Sequence, residues 1–329
     1  MMSTYLNRAC ERITKRRDNG MEHWQWGQGV ALFGLTEVGG SENLDYVRNW
    51  LDSHLAAGSP GKSINTAAPL LAAVRLWEDT GDARYSAICG EFARWCLAEA
   101  PRSDKGAFEH SCTENVYPNQ IWADTLYMGC LFLARYGLLT GEEMYLNEAM
   151  RQFALHYEFL SDGETGLIYH GYYGDERRRK GVLWGRGNGW FSAASALILA
   201  WVPSSHPLYA SVREGFARHT KGLLRFQRAD GGWNTVIDDP SSYAEMSGTA
   251  AFAFGLAGAG EETAVAAALA LLERNTAADG TLLNASGGTC VMDTAAAYNA
   301  IGCCYSPFAQ GLAMLGLSLR RDSHLALNL

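Results

Sequence analysis

Asp79-Thr80-Gly81-Asp82-Ala83-Arg84-Tyr85 returns later in the chain as Leu139-Thr140-Gly141-Glu142-Glu143-Met144-Tyr145, and this repeat decides the fold. In both copies a glycine closes one helix and an acidic residue opens the next, as C-capping and the helix dipole favour. Each copy stands between two different kinds of helix. Before the turns lie 67–76 and 125–133, apolar nearly all round and rich in small residues. After the second, Tyr145/Leu146/Ala149/Phe153/Leu160 form one apolar stripe on a polar helix.

The same alternation extends in both directions. Runs apolar all round recur at 29–35, 191–202, 248–256 and 308–319. Single stripes recur at Leu6/Cys10/Ile13, Leu44/Val47/Leu51/Leu55 and Tyr209/Val212/Phe216/Leu223. Gly39-Gly40-Ser41-Glu42 and Gly258-Ala259-Gly260-Glu261-Glu262 fill the turn slot more loosely. A helix apolar all round must be covered all round, so the pattern predicts an inner ring of buried helices inside an outer ring of amphipathic ones. The count is about six helical hairpins. An open superhelix of hairpins has the same local pattern.

A second repeat follows the amphipathic helices: Gly106-Ala107-Phe108-Glu109-His110, Gly166-Leu167-Ile168-Tyr169-His170, Gly231-Gly232-Trp233-Asn234-Thr235 and Gly280-Thr281-Leu282-Leu283-Asn284. Each reads as a short strand piece ahead of a buried helix. If the units are equivalent, His110, His170, Thr235 and Asn284 come to similar places at one mouth of the barrel.

Composition narrows the function. The chain has 329 residues, 48% of them hydrophobic, with no low-complexity linker, and reads as a single domain over 1–329. With a net charge of −8, and Arg177-Arg178-Arg179-Lys180 as the longest basic run, a nucleic-acid partner is not expected. No apolar run has the length of a membrane span and no signal-type h-region opens the chain, so neither membrane nor export is expected. The eight cysteines show no CxxC spacing, which suits free thiols in the cytoplasm; Cys303-Cys304 is the one adjacent pair. No sequence feature specifies an oligomeric state.

Chemistry should sit where the inner helices begin, because polar residues there face a common mouth. Trp184-Gly185-Arg186-Gly187-Asn188-Gly189-Trp190 reads as a glycine loop that lays indole faces and a guanidinium into one cavity. Aromatic faces stack on sugar rings and arginine grips carboxylates, so a sugar acid is the natural ligand. Asp124 stands directly before an apolar helix and two residues after Trp122. Such a carboxylate is either a first-turn acid serving backbone N–H groups or a functional acid. His170, among tyrosines, is a candidate and His110 a weaker one. Glu245 reads better as a cap than as a second acid, and Asp238-Asp239-Pro240 as a turn. No histidine pair at metal spacing, phosphate loop or nucleophile elbow is present, so neither metal nor cofactor is expected.

Taken in order, Ile121-Trp122-Ala123-Asp124-Thr125-Leu126-Tyr127-Met128, Tyr169-His170-Gly171 and Trp184–Trp190 resemble the unsaturated rhamnogalacturonyl hydrolases, glycoside hydrolase family 105, relatives of the unsaturated glucuronyl hydrolases. The likeness runs from about Trp24 through the Ser-Pro-Phe-Ala-Gln-Gly segment at 306–311. It implies an all-α (α/α)6 barrel and, as substrate, a small oligosaccharide with a C4=C5 unsaturated uronic acid at its non-reducing end. It also implies Asp124 as general acid and base, with Trp122, His170, Trp184, Arg186 and Trp190 lining the sugar-acid subsite. Many relatives carry an aspartate just before an Ile-Asn pair in the second inner helix, where this chain reads Lys62-Ser63-Ile64-Asn65. The resemblance therefore puts Lys62 or Asn65 against the substrate. Two competing readings are a sugar 2-epimerase using His110 and His170, and a non-catalytic carbohydrate-binding helical protein.

Overall fold

The computed structural model describes residues 3–112 and 117–320. In chain order they form α1 (Thr4–Thr14), α2 (Trp26–Val38), α3 (Ser41–Ala56), α4 (Ile64–Ala67), α5 (Leu70–Thr80) and α6 (Ala83–Ala98). Strand β1 (Gln120–Trp122) and a π-helical turn (Leu126–Cys130) lead into α7 (Leu131–Thr140) and α8 (Glu143–Leu160). Then come β2 (Gly171–Tyr173), β3 (Arg178–Lys180), α9 (Gly185–Trp201), α10 (Tyr209–Arg225), α11 (Met246–Gly258), α12 (Glu262–Arg274), α13 (Ala295–Asn299) and α14 (Pro307–Ser318).

The helices sort into two rings as their apolar patterns require. Around the inner ring α2, α5, α7, α9, α11 and α14 touch in turn, and α14 packs against α2, so the ring closes and the open superhelix is excluded. Helix α9 is buried from Gly185 through Leu199, and α11 is buried along nearly its whole length. Outside them α3, α6, α8, α10 and α12 each bury one stripe, and α1 covers α14. The first helix is thus the outer partner of the last, in an (α/α)6 barrel. Closure needs glycine on both sides: a Cβ on Gly34 would stand 2.7 Å from the Gly311 carbonyl oxygen, and one on Gly311 2.4 Å from that of Val30. Gly81 and Gly141 are left-handed, with φ of 68° and 73°, as the turn repeat predicts.

Three readings of the sequence change. Trp184–Trp190 is the first two turns of α9 and not a loop, and none of its glycines has positive φ. The helix needs them for close approach: a Cβ on Gly189 would lie 2.9 Å from that of Ala251 on α11. The third inner helix starts with a π turn, so Asp124 precedes a widened helical turn. Asn284 does reach the start of α11, where its carbonyl accepts from Met246 (3.0 Å), but at φ 56° its side chain is exposed with the amide on Asn275, unlike the buried His110, His170 and Thr235.

The four strand pieces do repeat. Bridges Arg102↔Phe108, Ser161↔Ile168 and Thr276↔Leu282 fold three of them back beside the preceding helix. In all four the residue two after the left-handed Gly106, Gly166, Gly231 or Gly280 donates its N–H to a side-chain oxygen. Phe108 donates to Gln152 (2.8 Å), Ile168 to Asn188 (2.8 Å), Trp233 to Thr249 (3.3 Å) and Leu282 to Gln310 (3.1 Å). The amides also give back: Gln310 donates to the carbonyls of Gly280 (2.6 Å) and Ala9 (3.3 Å). Strand β1, which follows the first piece, pairs with β2 and β3, which follow the second, in an antiparallel sheet of that order, with Trp122 opposite Gly171.

Replacing Gln310 by Leu keeps the side-chain bulk but leaves the buried Leu282 N–H and Gly280 carbonyl without partners, while the Ala9 carbonyl keeps its bond within α1. We expect a loss of roughly 3 kcal/mol in unfolding free energy, read from urea midpoints. A change below about 0.5 kcal/mol would show that the clamp does not hold the hairpin.

Candidate active site

Asp124 is placed by the sheet. Ala123 donates its N–H to the His170 carbonyl at 3.0 Å, continuing the β1–β2 ladder by one residue before the chain turns into the π helix. The Asp124 carbonyl accepts from Tyr127 and Met128, but its carboxylate caps nothing. Its Oδ2 lies 3.3 Å from His170 Nε2, and neither atom has a hydrogen-bond partner elsewhere among the described residues. The side chain is 11% exposed, at a cavity of about 360 Å³.

Aromatic groups make the walls. Trp122 lies flat on His110, with ring centroids 4.6 Å apart at 11°, and against Tyr117 at 4.5 Å. Trp26 is stacked on Phe308 at 4.7 Å. Trp184, Asn65, Met128 and Arg186 complete the inner side, and Gly288, Thr289 and Cys290 the outer. Gly187 brings α9 against the wall: a Cβ there would be 2.9 Å from the Trp184 ring.

The predicted residues divide. Asp124, Trp122, Trp184, Arg186 and Asn65 meet around this cavity. Lys62 does not: its ammonium pairs with Glu91 of α6 at 2.9 Å, because an outer-helix carboxylate is within reach and the cavity is not. Trp190 is fully buried behind the wall, edge-on to Trp26 (6.3 Å) and beside Tyr127 (4.9 Å). His170 is fully buried behind Asp124.

Arg186 is buried with its guanidinium between the rings of Trp184 (4.6 Å) and Phe308 (4.7 Å). Its terminal nitrogens donate to the carbonyls of Ser286 (2.9 Å) and Gly287 (2.6 Å), which leaves Nε without a partner. Sequence reasoning missed Tyr117, Met128, Thr289, Cys290 and Tyr298, whose hydroxyl is 2.6 Å from His170 Nδ1. A lone aromatic in Ala295-Ala296-Ala297-Tyr298 was the available signal for the last.

The two buried acids at helix starts have opposite fates. Glu245 is the N-cap of α11, accepting from the N–H groups of Ser247 (3.2 Å), Gly248 (2.6 Å) and Ser286 (2.9 Å), with Arg186 3.7 Å away. Asp124 is left for chemistry. Burial works to raise its pKa, but pairing with His170 and the fields of His110 and Arg186 prevail and hold it below the ordinary carboxylate value. Burial also lowers His170, against the pull of Asp124. Among the described residues no group of three His, Cys, Asp or Glu side chains is arranged to hold a metal.

An aromatic cleft lined by one carboxylate, at the mouth of a double ring of helices, suits a sugar ligand, and the family match makes the protein a glycoside hydrolase. The sequence matches Glycosyl Hydrolase Family 88 over residues 3–319, and the chain belongs to that family. It is 33% identical over 306 residues to the "Unsaturated rhamnogalacturonyl hydrolase YesR" of Bacillus subtilis (strain 168), covering 89% of this chain and 88% of that protein. A structure described as a possible member of the GH105 family, from Salmonella enterica serovar Paratyphi A, superposes with a TM-score of 0.90 at 28% identity, over 95% of this chain and 92% of that one. The unsaturated glucuronyl hydrolase of Bacillus sp. GL1 shares the fold, with a TM-score of 0.69 at 19% identity over 96% and 95% of the two chains.

Three buried histidines make stability depend on pH. Burial lowers His110 to about 4, His156 to about 4 and His219 to about 3, from an ordinary value of 6.5. Below pH 6.5 the unfolded chain binds protons that the folded chain refuses. Stability therefore falls as pH drops from 6.5 towards 4, at up to about 1.4 kcal/mol per pH unit for each histidine. Thermal midpoints at pH 7 and pH 5 test this, and equal midpoints would contradict it.

Proposed function

We propose that the protein hydrates the C4=C5 double bond of an unsaturated uronic acid at the non-reducing end of a small oligosaccharide, releasing the neighbouring sugar. The rhamnogalacturonyl class is the first candidate, from the relative at 33% identity. The observation that carries this reading is the solitary carboxylate: among the described residues lining the cavity, Asp124 is the only acid. Ordinary glycosidases flank the scissile bond with two carboxyl groups. A vinyl ether needs only one, because the same group can give a proton and take one back.

Asp124 would protonate C4, and positive charge would develop at C5 beside the ring oxygen. Water would then add at C5 and return its proton to the Asp124 carboxylate. The product is a hemiketal, whose opening frees the C1 substituent as the leaving sugar. Trp122 and Trp184 supply ring faces, Asn65 a polar contact and Arg186 a positive field over the uronate.

The lowered pKa of Asp124 belongs to the free site. A bound uronate brings a second negative charge and expels water, and both raise the pKa towards that of a competent acid. For the epimerase alternative, His110 and His170 are both driven neutral by burial, and His170 lies behind Asp124 and not across the cavity. Cys89, Cys96, Cys130, Cys290, Cys303 and Cys304 are free thiols, which fits a reducing compartment, and we assign the protein to the cytoplasm. Among the described residues no helix is long and apolar enough to cross a membrane.

The test is the near-ultraviolet absorbance of the conjugated enol-carboxylate, followed across a panel of unsaturated uronyl disaccharides. It should disappear with the wild type and slow by at least roughly 100-fold in Asp124→Asn. Wild-type rates in that variant would sink the assignment. Calorimetry with a saturated uronyl disaccharide, in buffers of different ionisation heat, should show proton uptake on binding that grows from pH 7 to pH 5. Asp124→Asn should abolish it.

A further inference from the structure

Segment 286–305 rises over the mouth and carries the short helix α13, whose one buried side chain is Tyr298. The phenol packs against His170 (5.7 Å between centroids) and Trp184 (6.0 Å). Its oxygen accepts the N–H of Met292 at 3.1 Å and lies 2.6 Å from His170 Nδ1. Gly181 leaves just enough room, since a Cβ there would stand 2.7 Å from the hydroxyl.

These contacts fix the direction of each hydrogen bond. Met292 N–H can only donate, so the phenol oxygen is an acceptor on that side. Among the described residues Nδ1 is the one acceptor within reach of the phenol hydrogen, so the O–H donates to Nδ1. A neutral imidazole that accepts at Nδ1 carries its hydrogen on Nε2. Nε2 is the atom 3.3 Å from Asp124 Oδ2.

We propose that Tyr298 is a positioning residue for the hydration reaction, an inference that rests on the function proposed above: it holds His170 as the neutral Nε2–H tautomer against Asp124. Three states of the imidazole are conceivable, and only this one serves both halves of the reaction. An imidazolium would pin Asp124 as a carboxylate and oppose its work as an acid. The Nδ1–H tautomer would turn a lone pair on the carboxylate and repel it when it acts as a base. A neutral donor steadies the carboxylate and still lets it take a proton when substrate arrives.

The groups around His170 agree. Asp124 faces it from the end of β1, Tyr298 from α13, Trp184 from the start of α9, and Arg186 and His110 act from further off. Arg186 and burial both oppose a second positive charge there. The segment that brings Tyr298 also supplies Gly288, Thr289 and Cys290 to the cavity wall, and Arg186 anchors its root through Ser286 and Gly287. Docking of this segment thus sets the substrate wall and the histidine tautomer together.

Long-range nitrogen–proton NMR of histidine-labelled wild type, without substrate, should show His170 with a bare Nδ1 and a protonated Nε2 from pH 5 to 8. A protonated Nδ1 would overturn the proposal without any variant. Tyr298→Phe keeps the ring and removes the hydroxyl. It should lower kcat roughly ten-fold with KM within about two-fold, and move the acid limb of activity to higher pH, as His170 becomes easier to protonate. Unchanged kcat and an unchanged acid limb in that variant would overturn it. If no unsaturated disaccharide is consumed, the proposed reaction fails, while the wild-type spectrum still decides the tautomer.

Discussion

One backbone N–H, two residues past a left-handed glycine, is held by a side-chain oxygen in each of four mouth hairpins. The barrel depends on it because its inner helices are apolar nearly all round and offer the strand pieces only isolated polar side chains, such as Asn188, Thr249 and Gln310 near their starts. The connecting pieces are too short to form sheets of their own. An amide or hydroxyl placed on a neighbouring helix meets this need, and a carboxamide does it doubly by accepting and donating at once. Asn188 shows the device at its fullest: it accepts from Ile168 and His219 and donates to the carbonyls of Ile168 and Trp184. That residue ties the strand piece ending in His170 to the helix that begins beside Trp184. The geometry of the catalytic cleft therefore rests on a side chain that never touches it.

The mouth separates two tasks that buried charge can perform. Arg186 and Glu245 are committed to structure: the acid caps a helix, the guanidinium holds a loop root through its terminal nitrogens, and Ser247 and Ser286 lie between them. A buried pair so satisfied has little freedom to respond to a ligand. Asp124 and His170 are just as deeply placed but under-bonded, and an under-bonded ionisable pair beside a cavity can change state cheaply. The contrast explains why two acids at similar places before inner helices, one read from sequence as a cap and the other as a candidate functional acid, behave differently in the fold.

The rings were legible in the sequence because burial on all sides leaves a compositional mark that burial on one side does not. The turn glycines were legible because left-handed φ admits few other residues. Side-chain destinations were harder to read. Lys62 stands two residues from Ile64, yet it turns to Glu91 on a helix distant in sequence. Trp190 was grouped with Trp184 by motif, but in a helix six residues turn the side chain about 240° away, into the core. Asp124 was the right residue to single out, while its partner's partner, Tyr298, lay beyond reach. Its contact with His170 joins positions 128 residues apart, which no local pattern encodes.

The glycine contact between α2 and α14 has a consequence for the birth of the molecule. Helix α14 is the last wedge of the ring, seated between α11 and α2, and it carries Gln310, which bonds the first helix through Ala9. During synthesis five inner helices must wait with one apolar flank uncovered until this segment emerges. Contacts that span nearly the whole chain are slow to form, and exposed apolar flanks invite association in the meantime. The closed barrel should accordingly be a protein whose yield is governed by how well its incomplete ring is sheltered on the ribosome.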